Sequence, residues 1–326
     1  MIKIGNLTLE NNIFLAPMAG VTDLAFRLMC KKMGASLVYS EMISAKALHY
    51  NDKKTLSLLQ TDKREAPLAV QIFGSDPLIM AEGAKKIEDM GFGIIDINMG
   101  CPAPKVTSNG DGSALLKDFK LIGEIVKQVS SAVSIPVTCK VRCGINDYID
   151  ICYLAKIIED NGAKAICVHP RTAKMYYSGV CDKEKIRLAK NAVSIPVIGN
   201  GDTFTFEDAI DTFNKTSCDA LMVARGARGT PFIFKQINEY LKNGKVTYFP
   251  KMCERLNVMK EHVELICELK GEKIGVKEAR KHIAWYTKSM PSGAVFRNEV
   301  FKCESIDTII KMIDEYTNYI ERVDTK

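Results

Sequence analysis

The sequence predicts an α/β TIM barrel, (β/α)8, followed by a small C-terminal all-helical domain. Three observations predict it. Eight short apolar runs begin near residues 13, 37, 68, 94, 136, 165, 195 and 220, spaced 24 to 42 residues apart. Runs that are apolar throughout, most followed by one helical segment, belong to parallel strands buried on both faces, and eight such units in about 230 residues match a closed barrel. A doubly wound sheet would instead carry Gly-x-Gly-x-x-Gly after its first strand, and residues 16–21, Ala-Pro-Met-Ala-Gly-Val, do not supply it. Past residue 245 the helical period continues with no further strand, which sets a barrel over 1–242 and a helical domain over 243–326.

The first strand, 13–17, closes in Pro17-Met18-Ala19-Gly20, and Thr22 or Asp23 caps a helix from 24 to 33 that Gly34 ends. The second strand covers 37–41, and a polar, helix-prone stretch runs on to 63. The third, 68–73, leads to Asp76-Pro77, an N-cap with Pro at the first helical position; Ile79, Met80, Ala84, Ile87 and Met90 then mark one helix face. The fourth strand starts at 94 and runs into Asn98-Met99-Gly100-Cys101-Pro102. Gly100 opens backbone conformations closed to other residues, and Pro102 biases Cys101 towards an extended one, so this thiol has a defined direction. Residues 106–117, polar with two glycines, predict a mobile lid. Helices over 119–132, 148–161, 183–192 and around 208–213 alternate with strands over 136–142, 165–169, 195–201 and 220–224. The tail reads as amphipathic helices over 252–270, 276–289 and 305–322.

With 47% hydrophobic and 26% charged residues, the 326-residue chain has ordinary globular composition. Its 11 cysteines are odd in number and lack paired metal-type spacing, which predicts free thiols in a reducing cytoplasm. No run approaches the roughly 18 apolar residues of a membrane span, and residues 1–5 lack a signal-peptide core. No membrane association and no obligatory protein partner are expected. The net charge of +6 is modest, but between residues 270 and 302 eight Lys or Arg stand against three Asp or Glu. A local basic excess is what a polyanion-binding face requires. Lys277, Lys281 and Lys288 recur on one face of a helix, with Arg280 beside them.

In a (β/α)8 barrel, chemistry sits at the C-terminal strand ends. There the sequence places Pro17-Met18-Ala19, Gln71, Asn98, Cys101, Lys140, Arg142, His169, Arg171, Asn200-Gly201-Asp202 and Ala224-Arg225-Gly226. The last two groups follow strands seven and eight, the common phosphate site of this fold, where glycine amides and Arg225 supply the donors. Gln71 and Asn98 carry amides able to pair with a heteroaromatic ring edge, and Lys140 can place positive charge beside such a ring. A phosphate cradle at one end and a polar-edged ring at the other describe FMN.

These stretches resemble the tRNA-dihydrouridine synthases, in particular the bacterial branch. The resemblance rests on Ala16-Pro17-Met18-Ala19-Gly20-Val21-Thr22-Asp23, Val70-Gln71-Ile72-Phe73-Gly74 and Asp96-Ile97-Asn98-Met99-Gly100-Cys101-Pro102, with Lys140, Arg142, His169, Arg171-Thr172, Asn200-Gly201-Asp202, Arg225-Gly226, Arg280-Lys281-His282 and Trp285-Tyr286. It implies an enzyme that reduces the C5–C6 bond of particular tRNA D-loop uridines with NADPH through FMN. It also implies Cys101 as the general acid that protonates C5. By position, Pro17 to Ala19, Gln71, Lys140, His169, Asn200 to Asp202, Ala224 and Arg225 are cofactor contacts. Asn98, Arg142 and Arg171 are expected on the uracil or a phosphate, and Lys277, Arg280 and Lys281 on the tRNA body. Two positions depart from the family's pattern: Pro170 follows His169 where Gly is usual, and Val180-Cys181-Asp182-Lys183 replaces an Ala-Asp-Trp stretch. An FMN barrel acting on a free small molecule, or an RNA-binding barrel without catalysis, are the competing readings.

Overall fold

The structure is a computed structural model and describes residues 1–324. Eight parallel strands form the barrel: β1 (Ile13–Leu15), β2 (Val38–Tyr39), β3 (Leu68–Phe73), β4 (Ile94–Met99), β5 (Val137–Arg142), β6 (Ala165–His169), β7 (Val197–Asn200) and β8 (Ala220–Val223). Each pairs with its sequence neighbour, β8 returns to β1, and a parallel bridge from Phe14 to Leu37 closes the ring. The outer helices are α1 (Leu24–Lys32), α2 (Pro77–Asp89), α3 (Phe119–Ala132), α4 (Ile151–Asp160), α5 (Glu184–Ala192), α6 (Phe206–Thr216) and α7 (Ile233–Asn243). Side-chain alternation along the strands separates two cores. Ile72, Ile95, Ile97, Cys139 and Val168 face outward onto the helices, whereas Phe14, Ala69, Ile94, Cys167, Ile198 and Met222 fill the interior.

A two-stranded hairpin, Ile2–Ile4 against Leu7–Leu9, was not foreseen. It sends Ile4 and Leu9 into the interior core, so it plugs the barrel on the side away from the site. The sequence carries its signal: alternating apolar residues flank Gly5-Asn6, and Gly5 takes φ 57. Residues 106–117 are not the free loop expected. They hold a short helix, Pro104–Thr107, and a 3-10 segment, Gly112–Lys117, with Val106, Leu115 and Leu116 buried. The Ser113 N–H donates to the Cys101 carbonyl at 3.0 Å, which ties this segment to the loop carrying the thiol.

The C-terminal region comprises α8 (Met252–Lys270), α9 (Glu272–Tyr286), α10 (Gly293–Val300) and α11 (Ile306–Asp324). Its core of Leu256, Met259, Val263, Ile283, Val300 and Ile313 takes in Ala25 and Met29 from α1 and Phe232 just before α7. The short α10 was missed. Among the described residues no helix is long and apolar enough to cross a membrane, and all eleven cysteines are free thiols.

Candidate active site

The C-terminal strand ends open into one cleft of about 440 Å³, within the ~300–1,000 Å³ typical of small-ligand sites. Pro17, Met18, Ala19, Gln71, Asn98, Cys101, Lys140, Arg142, His169, Asn200, Gly201, Asp202, Ala224 and Arg225 all line it. The pleat explains the convergence. Positions 71, 96 and 98, 138 and 140, 167 and 169, and 200 and 222 point inward, and the inward residues become polar towards the C-terminal end.

The cleft floor is a directional hydrogen-bond chain. Asp96 is fully buried; its carboxylate accepts from the Thr138 hydroxyl at 2.6 Å and from Gln71 Nε2 at 2.7 Å. Gln71 Oε1 accepts from Asn98 Nδ2 at 2.7 Å, and Asn98 Oδ1 accepts from the N–H groups of Gly100 and Cys101 at 3.1 and 2.9 Å. A carboxylate only accepts, so Asp96 fixes which way both amides face. Burial raises the Asp96 carboxyl to about 6, against the pull of Thr138, Gln71 and Lys140. Across the cleft Lys140 Nζ donates to Asn200 Oδ1 at 2.8 Å, and Asn200 Nδ2 donates to the Met222 carbonyl at 2.8 Å.

Cys101 is half-buried on the cleft wall. Burial raises its thiol above the ordinary value, although the Ala103 amide, Arg142 and Lys140 pull the other way. The thiol is therefore protonated at neutral pH. Arg142 clamps the loop that carries it: Nε donates to the Gly100 carbonyl at 2.9 Å, and Nη1 donates to those of Thr172 and Tyr176 at 2.9 and 3.0 Å. His169 is nearly buried and held neutral, first by burial and then by Lys140, Arg142, Arg171 and Arg225.

At the far end, Asp202 Oδ1 accepts from Arg225 Nη2 at 3.2 Å, and both its oxygens accept from Arg171 at 2.9 and 2.6 Å. Burial alone would raise Asp202, but the Arg171 bonds and the Cys181 N–H hold it below the usual value. Gly201 and Asp202 take φ 133 and 45, which turns the chain sharply over the β7 end, and the first amides of the Arg225–Ala227 turn lack intrahelical acceptors by construction. Both Arg225 and Gly226 line the cleft at this turn. Phosphate is a good fit to such a cradle, and the amides of Gln71 and Asn98 with Lys140 fit a polar ring edge.

Two expectations are corrected. Arg171 does not line the cleft. It is 1% exposed, and its donors are taken by Asp202, the Cys181 sulfur and the carbonyls of Ser178 and Gly179, so it braces Asp202 from behind the cleft lining. Lys277, Arg280, Lys281 and Lys288 do not form one free stripe. Lys277 is exposed, but Lys281 Nζ donates to the Gly20 carbonyl on the barrel rim at 2.7 Å, Arg280 Nη2 donates to the Cys303 carbonyl at 3.1 Å, and Lys288 lies past the end of α9. Single-sequence reading cannot see which carbonyls and carboxylates the fold brings against these side chains. It also missed cleft-lining Tyr176, Tyr177, Phe204 and Arg228, and Asp96, whose signal was its i, i+2 spacing to Asn98.

Fold and cleft together define a (β/α)8 barrel whose strand ends carry a thiol, Cys101, on the wall of a basic, polar cleft. The dihydrouridine synthase (Dus) family matches residues 14–320. The chain is 44% identical over 327 residues to the "Probable tRNA-dihydrouridine synthase" of Rickettsia bellii, covering 99% of this chain and 100% of that one. It is 41% identical over 308 residues to tRNA-dihydrouridine synthase B of Pseudomonas aeruginosa, covering 94% and 93%. Among solved structures it is similar in fold to histamine dehydrogenase from Rhizobium sp. 4-9 (TM-score 0.59, 12% identity, 81% of this chain and 50% of that one). A morphinone reductase mutant in complex with tetrahydroNAD is also similar in fold (TM-score 0.52, 12% identity, 78% and 92%). This chain belongs to the dihydrouridine synthase family.

Proposed function

We propose that this enzyme is a cytoplasmic tRNA-dihydrouridine synthase that holds FMN in the cleft, draws on NADPH, and reduces the C5–C6 bond of D-loop uridines with Cys101 as general acid. The observation that carries the reading is a thiol kept protonated on the wall of a basic cleft, its backbone fixed by Asn98 and its loop by Arg142. FMN would rest its phosphate on Gly201, Arg225 and Gly226, with Pro17 to Ala19, Asp202 and Ala224 around it and Gln71, Lys140, His169 and Asn200 at the ring. Bound there, it supplies a hydride that NADPH replenishes.

The residues do the rest. Hydride arrival at C6 leaves an electron pair on C5, delocalised into the C4 carbonyl. Cys101 Sγ gives its proton to C5, and solvent returns one to the thiolate; uridine, NADPH and H⁺ become dihydrouridine and NADP⁺. A thiol with raised pKa is suited to donation and poorly suited to nucleophilic attack. Asn98 holds the Cys101 backbone and can present its second amide hydrogen to the base. The C-terminal helices, 243–326, are read as the tRNA-binding domain, with exposed Lys277 on the RNA backbone. A uridine inside a folded D-loop must be extruded to enter such a cleft.

The test is Cys101→Ala. It should keep flavin and its reduction by NADPH, and should lose at least about 10²-fold in dihydrouridine formation, the scale of general acid catalysis. Full turnover would remove the acid role, and loss of flavin would make Cys101 structural. FAD in the denatured extract, or no flavin, would remove the cofactor assignment. NADH reducing the flavin as well as NADPH would remove the NADPH preference.

A further inference from the structure

The helical region meets the barrel at the mouth of the cleft. Along α9, one turn apart, Lys281 donates to the Gly20 carbonyl of the loop after β1, and Trp285 sits against the loop after β8. In that second contact Gly229 approaches so closely that a Cβ built on it would lie 2.4 Å from the Trp285 backbone carbon. Arg228, the preceding residue, lays its guanidinium over the Trp285 ring, 4.8 Å from the centroid. It also lines the cleft.

The two arginines of this loop differ in their electrostatic company. Arg225 is paired with Asp202 and lies over the Tyr177 and Phe204 rings. Among the described residues Arg228 has no carboxylate in contact and its buried Nε has no hydrogen-bond partner; burial and the neighbouring charge of Arg225 both disfavour its cation. A guanidinium stacked on an aromatic face is oriented in advance. Here it is oriented at the point where the barrel mouth meets the helices, with its charge unneutralised. An anion with planar-fork acceptors, such as a phosphate, completes it.

We propose that Arg228 binds a backbone phosphodiester of the tRNA strand next to the extruded uridine, where that strand crosses from α9 to the cleft. The proposal rests on the tRNA reading above. The Trp285 ring is its platform, so the pair works as a fixed gatepost that positions the flanking nucleotide. The same chemistry could be met by the FMN phosphate or the 2′-phosphate of NADPH, and the experiment separates the three.

Purified holoenzyme carrying Arg228→Gln is compared with wild type and with Arg228→Lys for flavin content, thermal midpoint, NADPH KM in flavin reduction, and tRNA affinity across a salt series. We expect wild-type flavin content and midpoint, tRNA binding weaker by about threefold to tenfold at low salt, and a salt slope shallower by about 0.7–0.9, one phosphate contact. Arg228→Lys should restore the slope but only part of the affinity, because an ammonium keeps the charge without the planar stack. Loss of flavin would give Arg228 to the cofactor phosphate. A raised NADPH KM with an unaltered tRNA slope would give it to the dinucleotide. An unaltered slope with a lowered midpoint would make the stack purely structural. Each of these overturns the proposal. If wild-type enzyme neither binds tRNA nor forms dihydrouridine, it is the functional reading that fails, before Arg228 is at issue.

Discussion

Asp96 shows how one carboxylate can set the polarity of a whole site. Its hydrogen-bond partners among the described residues are a hydroxyl and an amide, and neither is a cation. Because burial raises its folded pKa from 3.8 to about 6, the stability it contributes is full below the unfolded value and is lost as pH rises through about 6. Ionised Asp96 at neutral pH then costs on the order of 3 kcal/mol, a cost accepted where amide direction matters. Asp96→Asn should therefore be more stable than wild type at pH 8, with the advantage vanishing near pH 4. It should also turn over tRNA roughly tenfold more slowly, since Gln71 is free to flip. Urea midpoints over pH 4–8 and kcat check this; parallel pH curves for the two proteins would refute it. At this scale the sequence was informative about which residues reach the cleft, because the strand pleat dictates it. It misplaced Arg171, expected in the cleft but turned away from it towards Asp202, 31 residues on.

Elements whose ends are written in local chemistry were legible. Helix α3 falls on the expected 119–132 because Asp118 caps it, accepting from the Leu121 N–H at 3.0 Å. Helix α4 starts at Ile151, three residues later than expected, because Asp150 is its cap and Gly144 bridges Tyr148 ahead of it. Helix α10 follows Ser292 in a left-handed conformation, φ 53, which no single-sequence rule for serine predicts. Between α8 and α9 lies a pair no pattern suggests. His262 and His282 stack edge to face, 4.4 Å between centroids, both fully buried and, among the described residues, without hydrogen-bond partners on any ring nitrogen. Phe26 of α1 and Trp285 and Tyr286 of α9 pack around them, and Asp23, Lys270 and Lys281 are the charges that face them. Burial lowers His262 to about 4, and His282 is lowered well below its ordinary value by burial and then by His262. Both are depressed relative to the unfolded chain, so their contribution is full above about 6.5 and is lost as pH falls towards 4. For His262 alone this is on the order of 3 kcal/mol. Asp96 gains stability over the same window, so the measurement is the difference between the two proteins: wild type should lose stability relative to His262→Phe as pH falls from 6.5 to 4. A difference that stays constant over that range would contradict it.

At the scale of the whole molecule, barrel and helices are joined through the contacts that border the cleft. Gly229 takes φ 69 and has no room for a Cβ against the Trp285 backbone. Gly229→Ala should cost about 2–4 kcal/mol, from left-handed strain and the clash together. The damage should fall at the junction: hydrogen exchange should quicken in α9 and the 225–230 loop while the β3–β6 amides stay protected. Uniform loss of protection across the chain would mean that the clash is relieved elsewhere. The overall architecture was readable from strand spacing alone. This junction was not, because two residues 56 positions apart meet backbone to backbone, and nothing in a periodicity marks such a contact.

The shared core has a consequence for recombination between such chains. Ala25 and Met29 of α1, with Phe232, sit in the same apolar cluster as Leu256 and Ile283, while Lys270 reaches back to Asp23, the α1 cap, at 2.5 Å. The C-terminal helices are thus grafted onto the first unit of the barrel, at the opposite end of the chain. A crossover that swaps the tail at residue 245 inherits a mismatched bed unless α1 travels with it. Chimaeras built to exchange the helical tail should be cut from both termini, leaving the middle of the barrel in place.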